Sequence, residues 1–98
     1  MENFASIIRS NAPVLVDFSA SWSATSRSML PVVAKVKKEL GVHARVIRLD
    51  VGVNRVKARK YHVEAIPTFI IFKKGKAVWR ATGQIAPAVL MQQMIAFA

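Results

Sequence analysis

The chain of 98 residues contains no cysteine. It therefore cannot form a disulfide, carry out thiol chemistry or build a cysteine-based zinc site. Long hydrophobic runs are also missing, because runs such as 14–16 and 69–72 are far shorter than the roughly 20 residues that cross a bilayer. The N-terminus has neither a basic region nor a long apolar region, which predicts no signal peptide and a cytoplasmic protein without a membrane partner.

Acidic residues are scarce as well, since 5 Asp and Glu face 15 Lys and Arg and give a formal net charge of +10. Such a charge attracts acidic partners of any kind. The basic residues fall into separate groups at 35–38, 55–60 and 73–76, which we interpret chiefly as solvated faces of helices and a turn. The aromatic residues are not interleaved with them for stacking on bases. Non-specific nucleic-acid binding is therefore the weaker expectation, and docking on an acidic protein stays open.

Hydrophobic residues make up 53% of the chain, which excludes disorder and predicts a single domain over 1–98. Apolar residues three and four apart predict helices, while β-branched runs and alternation predict strands. The expected helices cover about 3–10, 29–40, 55–61 and the stretch from 87 onward. The expected strands cover 14–18, 45–51, 68–72 and 77–80. The serine-rich segment 19–28 is expected to be a loop.

This order of elements predicts an α/β fold with a mixed sheet and helices on both faces. Two details accompany it. Pro31 lies in the early turns of the second helix and is expected to kink its axis. Leu90, Met91, Met94 and Ile95 form the expected buried stripe of the last helix.

Two segments carry a resemblance to a known family. In the first, 16–27, a strand ends and Trp22 precedes two serines, Ser23 and Ser26, three positions apart. The second is Ile66-Pro67-Thr68, followed by a Lys-Gly hairpin. From about residue 4 to 97 these motifs stand in the register of the thioredoxin family, which the chain strongly resembles. The resemblance implies a thioredoxin fold with a central mixed four-stranded sheet, and a parent activity of thiol–disulfide exchange on protein substrates.

The resemblance also assigns site residues. Ser23 stands at the position of the nucleophilic cysteine, Ser26 at that of the resolving cysteine, and Asp17 at that of the buried proton-transfer carboxylate. The implied substrate groove contains Trp22, Ala24, Thr25, Ile66, Pro67, Thr68 and Gly83. A cis-Pro67 would present free backbone groups of Ile66 to an extended peptide, which is a form of strand addition that needs no sulfur.

Simpler interpretations of three residues stay open. Asp17 can be a strand-end acid that finds a hydrogen bond or water, and Trp22 can pack over the start of the helix. Arg48 stands where the family often has a lysine near the buried acid, but it can equally be a solvated cation at a strand end.

Three departures from the family are visible: no leading strand, a strong basic charge, and serine in both cysteine positions. Disulfide exchange needs a thiolate and a second thiol, so the chain should be redox-inactive. A Cys-to-Ser variant of a thioredoxin, a natural redox-dead binding or scaffold module using the groove and the basic surface, and a computational redesign remain open. No organic cofactor or metal is implied. The expected partners are protein or peptide substrates and, for the parent, a thioredoxin reductase; the chain is expected to be a monomer.

Serine hydrolase chemistry is not supported by the sequence. A nucleophilic Ser23 would need a general base within hydrogen-bond reach, and neither His43 nor His62 belongs to a triad motif. No Gly-x-Ser-x-Gly segment is present.

Overall fold

The computed structural model describes residues 3–98, apart from the side chain of His43, and within them the elements follow the expected order. The helices are α1 (Phe4–Ile8), α2 (Ala24–Ser28), α3 (Leu30–Leu40), α4 (Arg55–Lys60) and α5 (Pro87–Ala96). The strands are β1 (Val14–Ser19), β2 (Arg45–Asp50), β3 (Thr68–Lys73) and β4 (Lys76–Thr82). A short 3-10 turn, Gly41–His43, joins α3 to β2.

The four strands form one sheet in the order β2-β1-β3-β4. β1 pairs with β2 in parallel and with β3 antiparallel, while β3 and β4 form an antiparallel hairpin. The parallel pair requires a crossover connection, which α2 and α3 provide. The predicted mixed four-stranded sheet is confirmed.

Side chains of β1 and β3 alternate between two cores, one on each face of the sheet. On one face, Leu15 and Phe69 pack with residues of α3 and α5. On the other face, Phe18 and Phe72 pack with residues of α1 and α4. The helices therefore cover both faces, and both central strands are removed from water.

The β3–β4 turn is fixed against the end of α1. Lys74 and Gly75 both adopt positive φ angles, 54° and 83°, which glycine tolerates readily. Their backbone N–H groups donate to the carbonyl oxygens of Ser10 and Ile8 at 2.9 and 2.8 Å. The basic turn is thereby held beside α1.

The expected loop over 19–28 is wrong in its second half, because α2 begins at Ala24. Serine is unfavourable inside helices but strongly preferred at their N-caps, and here Ser23 is the cap. Ser23, one of the serines that suggested a loop, is therefore the N-cap at which the helix begins.

Pro31 interrupts the helical segment, but as a break rather than as a bend within one helix. α2 ends at Ser28, and Pro31 lies in the first turn of α3. Proline has no N–H to donate to the carbonyl oxygen of Arg27 four residues earlier. At this break the N–H of Met29 donates to the carbonyl oxygen of Ser26 at 3.2 Å.

The stripe expected on α5 is partly wrong. Leu90 and Met94 are buried and Met91 packs against the core, but Ile95 is 63% exposed. Successive helical residues are about 100° apart, so Ile95 is rotated away from the α3 contact that Met94 makes. It lies instead at the rim of a shallow groove between α3 and α5.

Replacement of Leu15 with alanine should lower the free energy of unfolding by about 2–5 kcal/mol, because this side chain is fully buried in the centre of the sheet. Urea unfolding followed by circular dichroism measures the change. Val42→Ala is the control: Val42 is 96% exposed, so its loss should change stability by less than about 0.5 kcal/mol. Equal stability of the two variants would contradict the assigned core.

Candidate functional site

The turn between β1 and α2 carries the two serines. Ser23 has an extended backbone and caps α2, since its Oγ accepts from the N–H of Ser26 at 3.2 Å. The backbone of Ser23 is held on both sides: its N–H donates to Ala20 at 3.1 Å, and its carbonyl oxygen accepts from Arg27 at 3.0 Å. The Ser23 hydroxyl is thus fixed at the first turn of a helix, where N–H groups and a partial positive charge face it.

Ser26 lies one turn into α2 and is completely buried. Its Oγ accepts a hydrogen bond from the N–H of Ala20 at 3.2 Å, in the segment that leaves β1. Ser26 therefore ties the first turn of α2 to the end of β1, and the two serines differ in exposure, since Ser23 is only half-buried.

Asp17 is fully buried in β1, and among the described residues neither of its carboxyl oxygens has a hydrogen-bond partner. Burial raises the pKa of the Asp17 carboxyl from 3.8 to about 6, and the charge of Arg48 opposes part of that rise. The Nε of Arg48 lies 3.9 Å from Oδ2 of Asp17. A protonated, neutral carboxyl is therefore accessible near neutral pH inside the sheet.

Arg48 faces Asp17 because the two residues are register partners across the parallel β1–β2 pair. Its Nε donates to Oγ of Ser19 at 2.8 Å, so the shorter contact of the guanidinium is with the hydroxyl and not with the acid. The side chain of Arg48 is 30% exposed. It is thus anchored at the strand ends and is more than a freely solvated cation.

The loop before β3 lies at the same end of the sheet as the serines. Phe18, next to the end of β1, pairs with Thr68, the first residue of β3. The Ile66–Pro67 peptide bond is cis, as expected from the resemblance. The carbonyl oxygen of Pro67 accepts from the N–H of Gly83 at 2.9 Å, which places the turn after β4 beside this loop.

The exposed groups of this region suit an extended peptide. Among the backbone hydrogen bonds between described residues, none engages Ile66, so its N–H and carbonyl groups stay available. Gly83 has a φ of +85° and nothing within 4 Å of the position that a Cβ would take. Trp22 is 71% exposed, which is against the interpretation that it packs over the start of the helix.

A cleft of about 320 Å³ lies on the β2 side of the serine turn, between Arg27 and Arg48. Arg27 is held there by donation from Nη1 to the carbonyl oxygen of Ser21 at 2.8 Å. The cleft is thus flanked by two cations that have further N–H groups to donate. Among the side chains that the structure describes, which exclude that of His43, no three His, Asp or Glu come together as a metal site.

Proteins of the thioredoxin fold share this meeting of a strand–turn–helix with a cis-proline loop at one end of a mixed sheet, and the structure falls in this class. A thioredoxin of Fasciola hepatica superposes with a TM-score of 0.83 and 31% identity, over 92% of this chain and 85% of that one. The chain belongs to the thioredoxin family, because the family model described as Thioredoxin matches residues 1–96.

Two relatives support the same assignment. Thioredoxin Y, chloroplastic, of Oryza sativa subsp. japonica is 40% identical over 86 residues, which cover 88% of this chain and 51% of that protein. The chain thus spans about half the length of this relative. Thioredoxin of Mycobacterium tuberculosis (strain ATCC 25618 / H37Rv) is 38% identical over 88 residues, which cover 90% of this chain and 76% of that protein.

The structure brings most of the predicted site residues to one end of the sheet. Ala24 and Thr25 form the first turn of α2, between the two serines. Thr68 is buried at the start of β3, so its hydroxyl serves the loop, by donating to the carbonyl oxygen of Ala65, rather than facing the groove. No helix among residues 3–98 is long and apolar enough to cross a membrane.

Sequence reasoning missed Ser19 as a member of this region. Ser19 reads as the first residue of a loop, whereas the structure places it at the buried end of β1, bonded to Arg48. The polar pattern of Asp17 and Ser19, two positions apart on one face of a strand, is a signal that could have found it. Its partner, Arg48, could not be predicted, because neither segment alone determines the register of β1 against β2.

Replacement of Asp17 with asparagine should stabilise the protein progressively as the pH rises. A folded-state pKa of about 6 lies above the carboxyl's ordinary value of 3.8, so the unsubstituted protein loses stability as the pH rises through this interval. The free energy of unfolding of Asp17→Asn, relative to that of the unsubstituted chain, should therefore increase by about 3 kcal/mol between pH 3.5 and pH 7. Urea unfolding of both proteins at several pH values measures this difference; parallel pH profiles would contradict it.

Proposed function

We propose that this chain binds extended segments of proteins in the groove beside Trp22 and Ile66-Pro67, without exchanging disulfides. The observation that supports it is the pairing of an exposed indole with unengaged backbone groups of Ile66, at the place where Ser23 and Ser26 replace the family's thiols. Backbone hydrogen bonds of the strand-addition kind would hold the segment. The indole would supply apolar contact area.

The absence of sulfur limits what the site can do. Exchange begins when a thiolate attacks a disulfide sulfur, forms a new S–S bond and releases the other sulfur as a thiolate; a second thiol then resolves the mixed disulfide. The hydroxyls of Ser23 and Ser26 can do neither step. A bound segment is therefore retained only by non-covalent contacts, and we expect affinities of about micromolar or weaker.

The rest of the site suits the parent activity of the family, thiol–disulfide exchange on protein substrates with recharging by a reductase. The N–H of Ser26 already points at the side chain of Ser23, where it would stabilise a thiolate. Asp17 is buried with a raised pKa, as a proton-transfer carboxyl should be. This favours a Cys-to-Ser variant of a thioredoxin over the alternative, a natural redox-dead scaffold, since a scaffold has no use for a buried acid without a hydrogen-bond partner.

Ser23→Cys together with Ser26→Cys should convert the chain into a disulfide reductase. The new thiol at position 23 would cap α2, and the amide there should lower its pKa from about 8.5 toward about 7. Reduction of insulin driven by dithiothreitol measures the gain in activity, with the unsubstituted chain as the background. Ser23→Cys alone is the matched control: it should trap mixed disulfides but not turn over, because Ser26 cannot resolve them.

A folded double variant that stays at background would contradict the parent activity. The surroundings of the serines would then have lost their suitability for redox chemistry, and the scaffold alternative would be favoured. Circular dichroism establishes that the double variant is folded.

Trp22→Ala should weaken binding of an extended peptide by about tenfold, because the exposed indole provides much of the apolar contact. The probe is the insulin B chain with its thiols blocked, and chemical-shift mapping of the parent should perturb Trp22, Ser23 and Thr68. Ile95→Ala is the control, since Ile95 is a similarly exposed apolar residue on α5. Shifts confined to the 73–76 turn would contradict groove binding.

A further inference from the structure

A second groove, of about 360 Å³, lies between the start of α1 and the end of α4; we call it the α1–α4 groove. The rings of Phe4 and Tyr61 form its base, with their centroids 6.1 Å apart. Val56 lines one side and is 79% exposed. The α1–α4 groove therefore offers an open apolar surface large enough for a bulky side chain.

Two ammonium groups border this surface. The Nζ of Lys57 lies 5.8 Å from the centroid of the Phe4 ring, and the Nζ of Lys60 lies 5.5 Å from that of Tyr61. Among the described residues, neither lysine forms an ion pair with a carboxylate. Cation–π attraction at exposed sites is worth only about 0.5–1 kcal/mol, so both charges remain available to a partner.

The basic character extends along α4. Arg55 and Arg59 share this helix with Lys57 and Lys60, and the helix contains no acid. The acid nearest to α4 along the chain is Glu64, in the segment that follows the helix, and on the α1 side Glu2 precedes Asn3 in the sequence. The electrostatic field at this face therefore favours an anionic partner.

The rings of Phe4 and Tyr61 are half-buried, so a nucleic-acid base could stack on only part of each ring, whereas an apolar side chain needs only the exposed part. Phe4 and Tyr61 each form a T-shaped contact with Phe72, at 5.8 and 4.9 Å between centroids, and a lysine ammonium lies over each of the two rings. Single-stranded nucleic acids are held largely by open aromatic faces. A partner that carries carboxylates beside an apolar side chain matches both the lysines and the apolar surface of the groove better than a nucleic acid does.

We propose that the α1–α4 groove docks an acidic segment of a partner protein, with an apolar side chain of that segment on Phe4, Tyr61 and Val56 and its carboxylates on Lys57 and Lys60. Charge complementarity at the rim would speed association and fix orientation, and the apolar centre would supply the retention. α1 and α4 cover the sheet face opposite to that of α3. Docking here is therefore independent of the peptide groove beside Trp22.

The test uses a short synthetic peptide in which Asp and Glu flank one Phe and one Leu, with fluorescence anisotropy at about 0.15 M ionic strength. Lys57→Glu with Lys60→Glu should weaken binding by about tenfold or more. Lys35→Glu with Lys38→Glu is the matched control: it changes the net charge equally, on α3, and should weaken binding less than about twofold.

A second pair of variants tests the apolar part. Val56→Ser should weaken binding by about threefold, while Val42→Ser, at a residue exposed to 96%, should leave it unchanged. A peptide with both apolar residues replaced by Gly should bind the parent more weakly by a similar factor. The peptide-induced amide shifts of Phe4, Val56 and Tyr61 should persist in Trp22→Ala, so failure here and failure of the peptide groove are distinguishable.

Mapping on the parent protein removes any dependence on variant folding: the peptide should shift the amide signals of Phe4, Val56 and Tyr61. Three outcomes would overturn the proposal. Equal losses in the two double-lysine variants would show attraction by net charge alone. Tighter binding of an oligothymidylate or of phosphatidylserine vesicles, lost in Lys57→Glu with Lys60→Glu, would assign the groove to nucleic acid or to a membrane. Concentration-dependent self-association lost in that variant would assign it to a second copy of the chain.

Discussion

The complete burial of β1 is the constraint on which the rest of this structure depends. All six of its residues are removed from water, and the strand is paired on both edges, with β2 in parallel and with β3 antiparallel. A strand buried on both faces needs helices above and below it, and a parallel neighbour needs a crossover between them. The end of β1 then determines where the serine turn begins, and its register with β3 determines where the cis-proline loop lies.

The same burial gives Asp17 its chemical character. A carboxyl with no hydrogen-bond partner among the described residues, faced only by a guanidinium at 3.9 Å, is stable in the neutral form at a higher pH than usual. Such a group costs folding free energy at neutral pH, and packing alone gives no reason for it. It is intelligible beside a thiol that must exchange a proton. In the proposed parent activity, Asp17 would be the group that exchanges this proton, and its burial and raised pKa support that proposal.

Charge and apolar exposure divide the surface into two regions with different chemistry. The peptide groove offers an indole and backbone hydrogen-bonding groups, which suit extended segments with little regard to sequence. The α1–α4 groove offers lysines around aromatic rings, which suit acidic segments. The two proposed binding regions share no residue, so the chain would have two ways to hold a protein segment, and neither needs a thiol.

The sequence by itself determined the order of most elements and the absence of thiols, because composition, periodicity and turn residues are local properties. The family and the cis-Pro67 loop were implied by the resemblance of two short motifs. The sequence predicted a loop where Ala24–Ser28 forms a helix, since a serine N-cap resembles a loop in composition. It predicted burial of Ile95, which is exposed, since the width of a helix interface depends on the helix packed against it. Only the tertiary structure decided that Arg48 faces Asp17 yet bonds Ser19, and that Lys57 and Lys60 border an apolar groove. These contacts depend on strand register and helix packing, which join segments that are distant along the chain.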